Sequence, residues 1–265
     1  MAAWTGYGSV MTDHPPLRTY GRTKARTLKP RQAGLVEALL PHLAVDVSAP
    51  IDVDELFSPS LQKREGVGGG MNPEASSITP PPDPLLLRGG GVVLEIGFGG
   101  GEHLTAQAAA HPELRFIGVE PFLNGVASCL RHIEESGVQN VRLHQGDARD
   151  VLARLPASSL DRVDILFPDP WPKTRHWKRR LIQADFVAGV ARVLKPGGGV
   201  RFATDWKHYA AWTLEAFTRD LRFLWNAECS GDWLFPWPGH VTTRYEQKRL
   251  GDCAPIFLHF VRCNM

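Results

Sequence analysis

A doubly wound, mostly parallel α/β sheet is the fold this 265-residue chain predicts. Three observations carry it. Short β-branched runs recur from Gly91 onward, longer helical stretches separate them, and a glycine-rich turn follows the first run. Alternation of this kind favours parallel strands joined by right-handed helical crossovers. The expected strands are Val92–Ile96, Arg115–Glu120, Val141–Gln145, Val163–Phe167 and Val200–Thr204. The expected helices are Glu102–Ala110, Leu123–Ser136, Ala148–Leu155, Lys178–Leu194 and His208–Asp220. A last apolar run, Ile256–Arg262, follows loop material only, so an antiparallel edge strand fits the C-terminus.

Composition divides the chain into three zones. Residues 1–47 are a basic arm followed by a short amphipathic helix near Gly34–Leu43, with Leu35, Val36, Leu39, Leu40 and Leu43 on one face. Residues 48–90 hold Pro50, Pro59, Pro73, Pro80, Pro81, Pro82 and Pro84 beside runs of glycine, so they have little apolar surface to bury and read as a mostly flexible insertion or linker. Residues 91–265 form the sheet domain.

Several classes of function are disfavoured at once. No apolar run approaches the roughly 20 residues that span a bilayer. The N-terminus lacks the apolar core of a secretory signal, and a cytoplasmic protein is expected, with an Arg- and Thr-rich transit segment as the minor alternative. Cys129, Cys229, Cys253 and Cys263 are widely spaced and have no histidine at ligand spacing, so they read as reduced thiols and no metal is expected. The net charge of +2 is too small to argue for a nucleic-acid partner, so the argument turns on where the charge is clustered.

The first strand leads into Gly97, Gly99 and the start of a helix, where backbone N–H groups can approach a ligand. Three carboxylates refine this. Glu95 precedes the turn, where an acid suits a cofactor carrying an ammonium and a sulfonium better than one carrying a pyrophosphate. Glu120 closes the second strand, where the ribose hydroxyls of an adenosine would lie. Asp147 ends the third strand and can meet an adenine amino group, although a helix cap explains it equally well. Together the three favour S-adenosyl-L-methionine over a nicotinamide cofactor.

The fourth strand runs into Phe167-Pro-Asp-Pro-Trp171, a turn stiffened by prolines on both sides of Asp169. Next comes Lys173-Thr-Arg-His-Trp-Lys-Arg-Arg180, which contains no acid. The N-terminal arm has a similar bias, with Arg18, Arg22, Lys24, Arg26, Lys29 and Arg31. Two basic clusters flanking one site, one of them with an aromatic residue, point to RNA as substrate.

The strings Leu94-Glu-Ile-Gly-Phe-Gly99, Phe167-Pro-Asp-Pro-Trp171, the basic run after it, Ala203-Thr-Asp-Trp206 and Thr243-Arg-Tyr-Glu246 occur in that order. From Gly91 to the C-terminus the chain closely resembles the bacterial tRNA (guanine-N7)-methyltransferase family, with a weaker echo at Tyr20-Gly-Arg22. The resemblance implies a Rossmann-like class I methyltransferase sheet and cofactor contacts from Glu95, Gly97, Gly99, Glu120, Asp147 and Asp169. It also implies substrate contacts from Lys173, Asp205, Thr243, Arg244, Tyr245 and Glu246, and a product methylated at guanine 46 of the tRNA variable loop. Asp169 is the expected catalytic residue, with Asp205 second. Arg22, Lys24, Arg175, Lys178, Arg179 and Arg180 are the expected RNA contacts. Residues 48–90 depart from compact family members as an insertion, and Arg244 and Tyr245 stand as Lys-like and Phe-like choices. A monomer or homodimer is expected, and an accessory subunit stays open. So do three other readings: N7 methylation of another RNA, a nicotinamide-dependent oxidoreductase, and a non-catalytic RNA-binding protein.

Overall fold

A computed structural model of the protein describes residues 27–58 and 90–264. The strands are β1 (Val92–Ile96), β2 (Arg115–Val119), β3 (Val141–His144), β4 (Leu160–Leu166), β5 (Leu194–Thr204), β6 (Phe223–Trp225) and β7 (Ile256–Arg262). They form one sheet in the order β3-β2-β1-β4-β5-β7-β6. The first five are parallel, and β7 runs antiparallel to both its neighbours. The expected C-terminal reversed strand is therefore the inner member of an edge pair. Its outer member, β6, is too short to have shown in the sequence.

Helices cover both faces. They are α1 (Pro30–Ala38), α2 (Leu40–Leu43), α3 (Val53–Leu56), α4 (Glu102–Ala110), α5 (Leu123–Ser136), α6 (Ala148–Arg154), α7 (Ala184–Val193), α8 (Lys207–Thr218), α9 (Gly231–Leu234) and α10 (Arg244–Gln247). Strand pleating sends Val92, Leu94 and Ile96 toward one layer, where Val151, Val187, Val190 and Tyr209 pack. Val93 points to the other layer, against Leu104, Leu130 and Leu35. Burial on both faces explains why β1 reads as a continuous apolar run. Among the described residues, no helix is long and apolar enough to cross a membrane.

Three stretches differ from the sequence expectation. The helix near Gly34–Leu43 is two helices, and it begins earlier because Pro30 takes the first helical position, which has no use for an N–H. Residues 48–58 are packed: Ile51, Val53 and Phe57 are buried, and the guanidinium of Arg142 lies 4.9 Å from the Phe57 ring centre. The expected helix Lys178–Leu194 is really a 3-10 turn, Thr174–Arg179, followed by α7. The chain leaves helical geometry at Arg180, which is extended at φ −58, ψ 140, and the apolar period resumes only at Phe186.

Gly118 lets α4 sit close on the sheet. A Cβ there would lie 2.5 Å from Leu104 Cδ2 and 2.8 Å from Phe98 Cδ1. Overpacking of this kind costs about 1–3 kcal/mol. Gly118→Val should therefore lower the unfolding free energy by that amount, seen as a lower urea midpoint at an unchanged denaturant slope, and a midpoint equal to the parent's would refute the close packing.

Candidate active site

β1 pairs with β2 on one side and with β4 on the other, so the strand order reverses beside its carboxyl end. Open α/β sheets bind ligands at such a point. Gly97 and Gly99 turn the chain there with φ of 74 and 56, the left-handed region that favours glycine. A Cβ added to either would meet nothing within 4 Å, so the turn borders open space, as a ligand cradle requires.

Glu120, just past the end of β2, is 6% exposed. It accepts hydrogen bonds from the amides of Gly99 at 2.9 Å and Phe122 at 3.0 Å. Burial pushes its carboxyl up to about 7 against the opposing pull of those amides, and the charge of Asp169 adds to the rise. Glu95 is buried and accepts from His103 Nδ1 at 2.8 Å. Burial alone would lower the pKa of His103, but the charge and hydrogen bond of Glu95 outweigh it and the net shift is upward. Asp147 takes the cap position of α6, accepting from the Arg149 amide at 2.9 Å and from Arg149 Nε at 2.9 Å. The cap explanation left open by the sequence is therefore realised.

Asp169 follows β4 in a turn flanked by two non-glycine residues in the left-handed region, Phe167 at φ 51 and Trp171 at φ 43. Its side chain reaches solvent at the mouth of the sheet, while the surrounding protein raises its pKa above the ordinary aspartate value by desolvation. Asp205, past β5, is buried and accepts from the Gly251 amide at 2.8 Å and the Tyr245 hydroxyl at 3.4 Å. Only glycine fits at 251, because a Cβ would fall 2.0 Å from the Asp205 carbonyl oxygen.

The Thr243–Glu246 string is fastened across this end of the sheet. Thr243 caps α10 through the Glu246 amide, and Glu246 accepts from the Thr243 amide at 3.3 Å and from His240 Nε2 at 3.0 Å. Arg244 pairs with Glu102, and Gln107 donates to the Gly239 carbonyl at 2.7 Å. Tyr245 lies 5.6 Å from Phe167, ring centre to ring centre. A cavity of about 830 Å³ opens beside this string, lined by Asp205, Glu246, Arg249, Gly251 and Asp252 among others. Its lining includes Asp205 and Glu246 and none of Glu120, Gly97 or Gly99.

Of the basic run, Lys173, Arg175 and Lys178 are exposed, and Arg179 lies 5.2 Å from the Trp171 ring centre. Arg180 does not fit the expected RNA contact: it is 3% exposed and points inward. Arg22 and Lys24 lie outside the described residues. Sequence reasoning missed Glu102, His103, Gln107 and His240. The i, i+4 spacing of His103 and Gln107 on a helix that follows the glycine turn was the available signal. All four cysteines are free, and among the described residues no cluster of histidine, cysteine or acids could hold a metal.

The model of a family described as "Putative methyltransferase" matches residues 90–257. A tRNA (guanine-N(7)-)-methyltransferase of Caulobacter sp. (strain K31) is 51% identical over 249 residues, 94% of this chain and 96% of that protein. A protein of the same name from Caulobacter vibrioides (strain NA1000 / CB15N) is 49% identical over 94% of this chain and 96% of its own length. Another from Rhodopseudomonas palustris (strain BisB5) is 45% identical over 86% of this chain and 79% of its own length.

Glu120 gives a pH-dependent test. With its carboxyl at about 7 in the fold, the native protein keeps a proton that the unfolded chain has already released above the ordinary glutamate range. Stability therefore falls as pH rises from that range to about 7, and the loss is complete above it. Relative to the parent, Glu120→Gln should gain about 2–3 kcal/mol between pH 4.5 and pH 8 in urea unfolding. A stability difference between the two that does not change with pH would refute the raised value.

Proposed function

We propose, from the premise that the chain belongs to the tRNA (guanine-N7)-methyltransferase family, that it transfers a methyl group from S-adenosyl-L-methionine to N7 of guanine 46 in the variable loop of tRNA. The observation that carries this reading is a row of carboxylates along one end of the sheet. Five consecutive parallel strands each deliver one at or just past the carboxyl end: Glu95, Glu120, Asp147, Asp169 and Asp205. Negative charge concentrated in this way suits a cationic cofactor and a base that becomes cationic.

The residues fit the cofactor. The glycine turn leaves its cradle open, Glu120 has lone pairs beyond those used by two amides, and the buried Glu95 can receive an ammonium. When bound, S-adenosyl-L-methionine supplies a methyl group on a sulfonium whose departure leaves a neutral thioether. Glu95 would hold the methionine ammonium, Glu120 the ribose hydroxyls and Asp147 the adenine edge.

Guanine N7 carries an unprotonated lone pair at neutral pH, so the protein needs no base to expose it. Its task is to hold base and cofactor in line at near-attack distance. Positive charge then develops on the purine, and a carboxylate placed for that charge stabilises the transition state more than the ground state. Asp169 is our candidate for this role, supported by its turn, which prolines stiffen and which has left-handed geometry on both sides. Asp205 and the Thr243–Glu246 string would line the entry of the base. Lys173, Arg175 and Lys178 would meet phosphates, together with the arm residues Arg22 and Lys24.

The test is methyl transfer from labelled cofactor to unmodified tRNA transcripts with nucleoside analysis. The expected product is 7-methylguanosine from the variable loop, and label in any other nucleoside refutes the reading. Asp169→Asn should lower kcat about 100-fold or more while the dissociation constant for S-adenosylhomocysteine stays within a few-fold. Because the carboxyl of Asp169 is raised, activity should be lost as pH falls through a value above the ordinary aspartate range, and the kcat profile of the parent should show that limb. Replacing Arg175 and Lys178 together by alanine should weaken tRNA binding and lower its salt slope by about 2. An unchanged slope would remove them from the RNA surface.

A further inference from the structure

Arg180 is the one member of the basic run that is turned into the protein, and what surrounds it is unusual for a buried cation. No carboxylate lies among its contacts. Its guanidinium carbon stands 5.1 Å from the ring centre of Trp177, 4.9 Å from that of Tyr209 and 5.2 Å from that of Trp212. Three aromatic faces can hold a guanidinium that has lost its water. Desolvation in this box lowers its pKa, although an arginine stays protonated at any working pH.

The box is itself firmly built. Trp212 Nε1 donates to the Ile182 carbonyl at 2.7 Å, and the fully buried Tyr209 hydroxyl accepts from the Ile182 amide at 3.4 Å. Gln183 Nε2 donates to the carbonyl of Trp177 at 2.9 Å, and the Trp177 and His208 rings lie 4.3 Å apart. Two hydrogen bonds leave the guanidinium: Nη1 donates to His208 Nδ1 at 3.1 Å, and Nε donates to the Pro170 carbonyl at 2.9 Å.

That second bond matters because of where it lands. The Pro170 carbonyl belongs to the peptide between Asp169's neighbour and Trp171, and Trp171 has the left-handed φ of 43. A non-glycine residue in that region is strained and persists only where its surroundings over-determine it. A charge-assisted bond to the carbonyl, from a donor locked on three sides, is such a constraint.

Resting on the assignment of Asp169 above, we propose that Arg180 is a positioning residue that clamps the Pro168–Trp171 turn and thereby aims the Asp169 carboxylate, with no contact to RNA.

The test compares Arg180→Lys and Arg180→Gln with the parent in steady-state methyl transfer at saturating tRNA, alongside tRNA and S-adenosylhomocysteine dissociation constants and the salt slope of tRNA binding. The expected result is a kcat lowered 10- to 100-fold in both variants, with both dissociation constants within threefold and the salt slope unchanged. Trp212→Phe, which thins one wall of the box and keeps the arginine, should lower kcat 2- to 10-fold and serves if the arginine variants do not fold. In a double-mutant cycle Arg180→Lys should slow the Asp169→Asn enzyme less than twofold, because the carboxylate it aims is gone. Retained kcat in a folded Arg180 variant overturns the proposal, as does a weakened tRNA affinity with a salt slope lower by about one, which would make Arg180 a phosphate contact. An Asp169→Asn enzyme with parental turnover would defeat the assignment of Asp169. The kcat of the Arg180 variants against their dissociation constants would then still decide whether the turn needs its clamp.

Discussion

The pairing of β1 with β2 on one side and β4 on the other governs where this molecule can work. At that reversal the crossovers leave in opposite directions, and a crevice opens beyond the carboxyl ends of the strands. Everything functional is a consequence of position relative to it. The glycine turn follows β1, Glu120 follows β2, the stiff Pro-Asp-Pro turn follows β4 and Asp205 follows β5.

Gathering acids in one crevice creates an electrostatic problem, and the structure handles each one differently. Glu95 has a histidine, Asp147 has an arginine, and Glu120 has two backbone amides. Glu120 has no cationic partner among these contacts, and burial raises its carboxyl to about 7. Perturbation of that size by burial and a neighbouring like charge marks functional carboxylates. A positive charge brought beside Glu120 would lower that penalty.

The C-terminal third of the chain completes the site from above. Glu102 and Gln107 on α4 hold the segment around Gly239 and Arg244, so the helix that begins at the glycine turn also anchors the Thr243–Glu246 string. His103 and His240, 5.7 Å apart, bring the partners of Glu95 and Glu246 into contact. The Glu95 end of the crevice and the Thr243–Glu246 string thus share α4 as their common support. On the opposite flank the aromatic box around Arg180 plays the corresponding part for the Asp169 turn.

Much of this was legible in the linear chain. Strand and helix periods in the sheet domain, the glycine turn and the strand-end acids are local patterns, because a two-residue or 3.6-residue period and a turn signal need no distant partner. The family strings are likewise contiguous. What the chain order could not express is which side chains are used up inside the protein. Arg180 and Arg175 look alike in a basic run, yet one is buried among three rings supplied from the 3-10 turn and α8, and the other is solvated. Asp147 reads equally as a cap or an adenine contact, and its bonds to Arg149 appear only once α6 is formed. The Ile51–Phe57 segment looks proline-bound and loose until the sheet offers Arg115 and Arg142 to receive Phe57. Sequence by itself determined the five parallel strands and the C-terminal strand, their order and the acids at the ends of the parallel strands, while β6, the short helices and the break at Arg180 did not show in it. Tertiary structure alone decided which charges face a ligand and which hold the scaffold, because burial and partner choice are properties of three-dimensional neighbours that sequence distance does not encode.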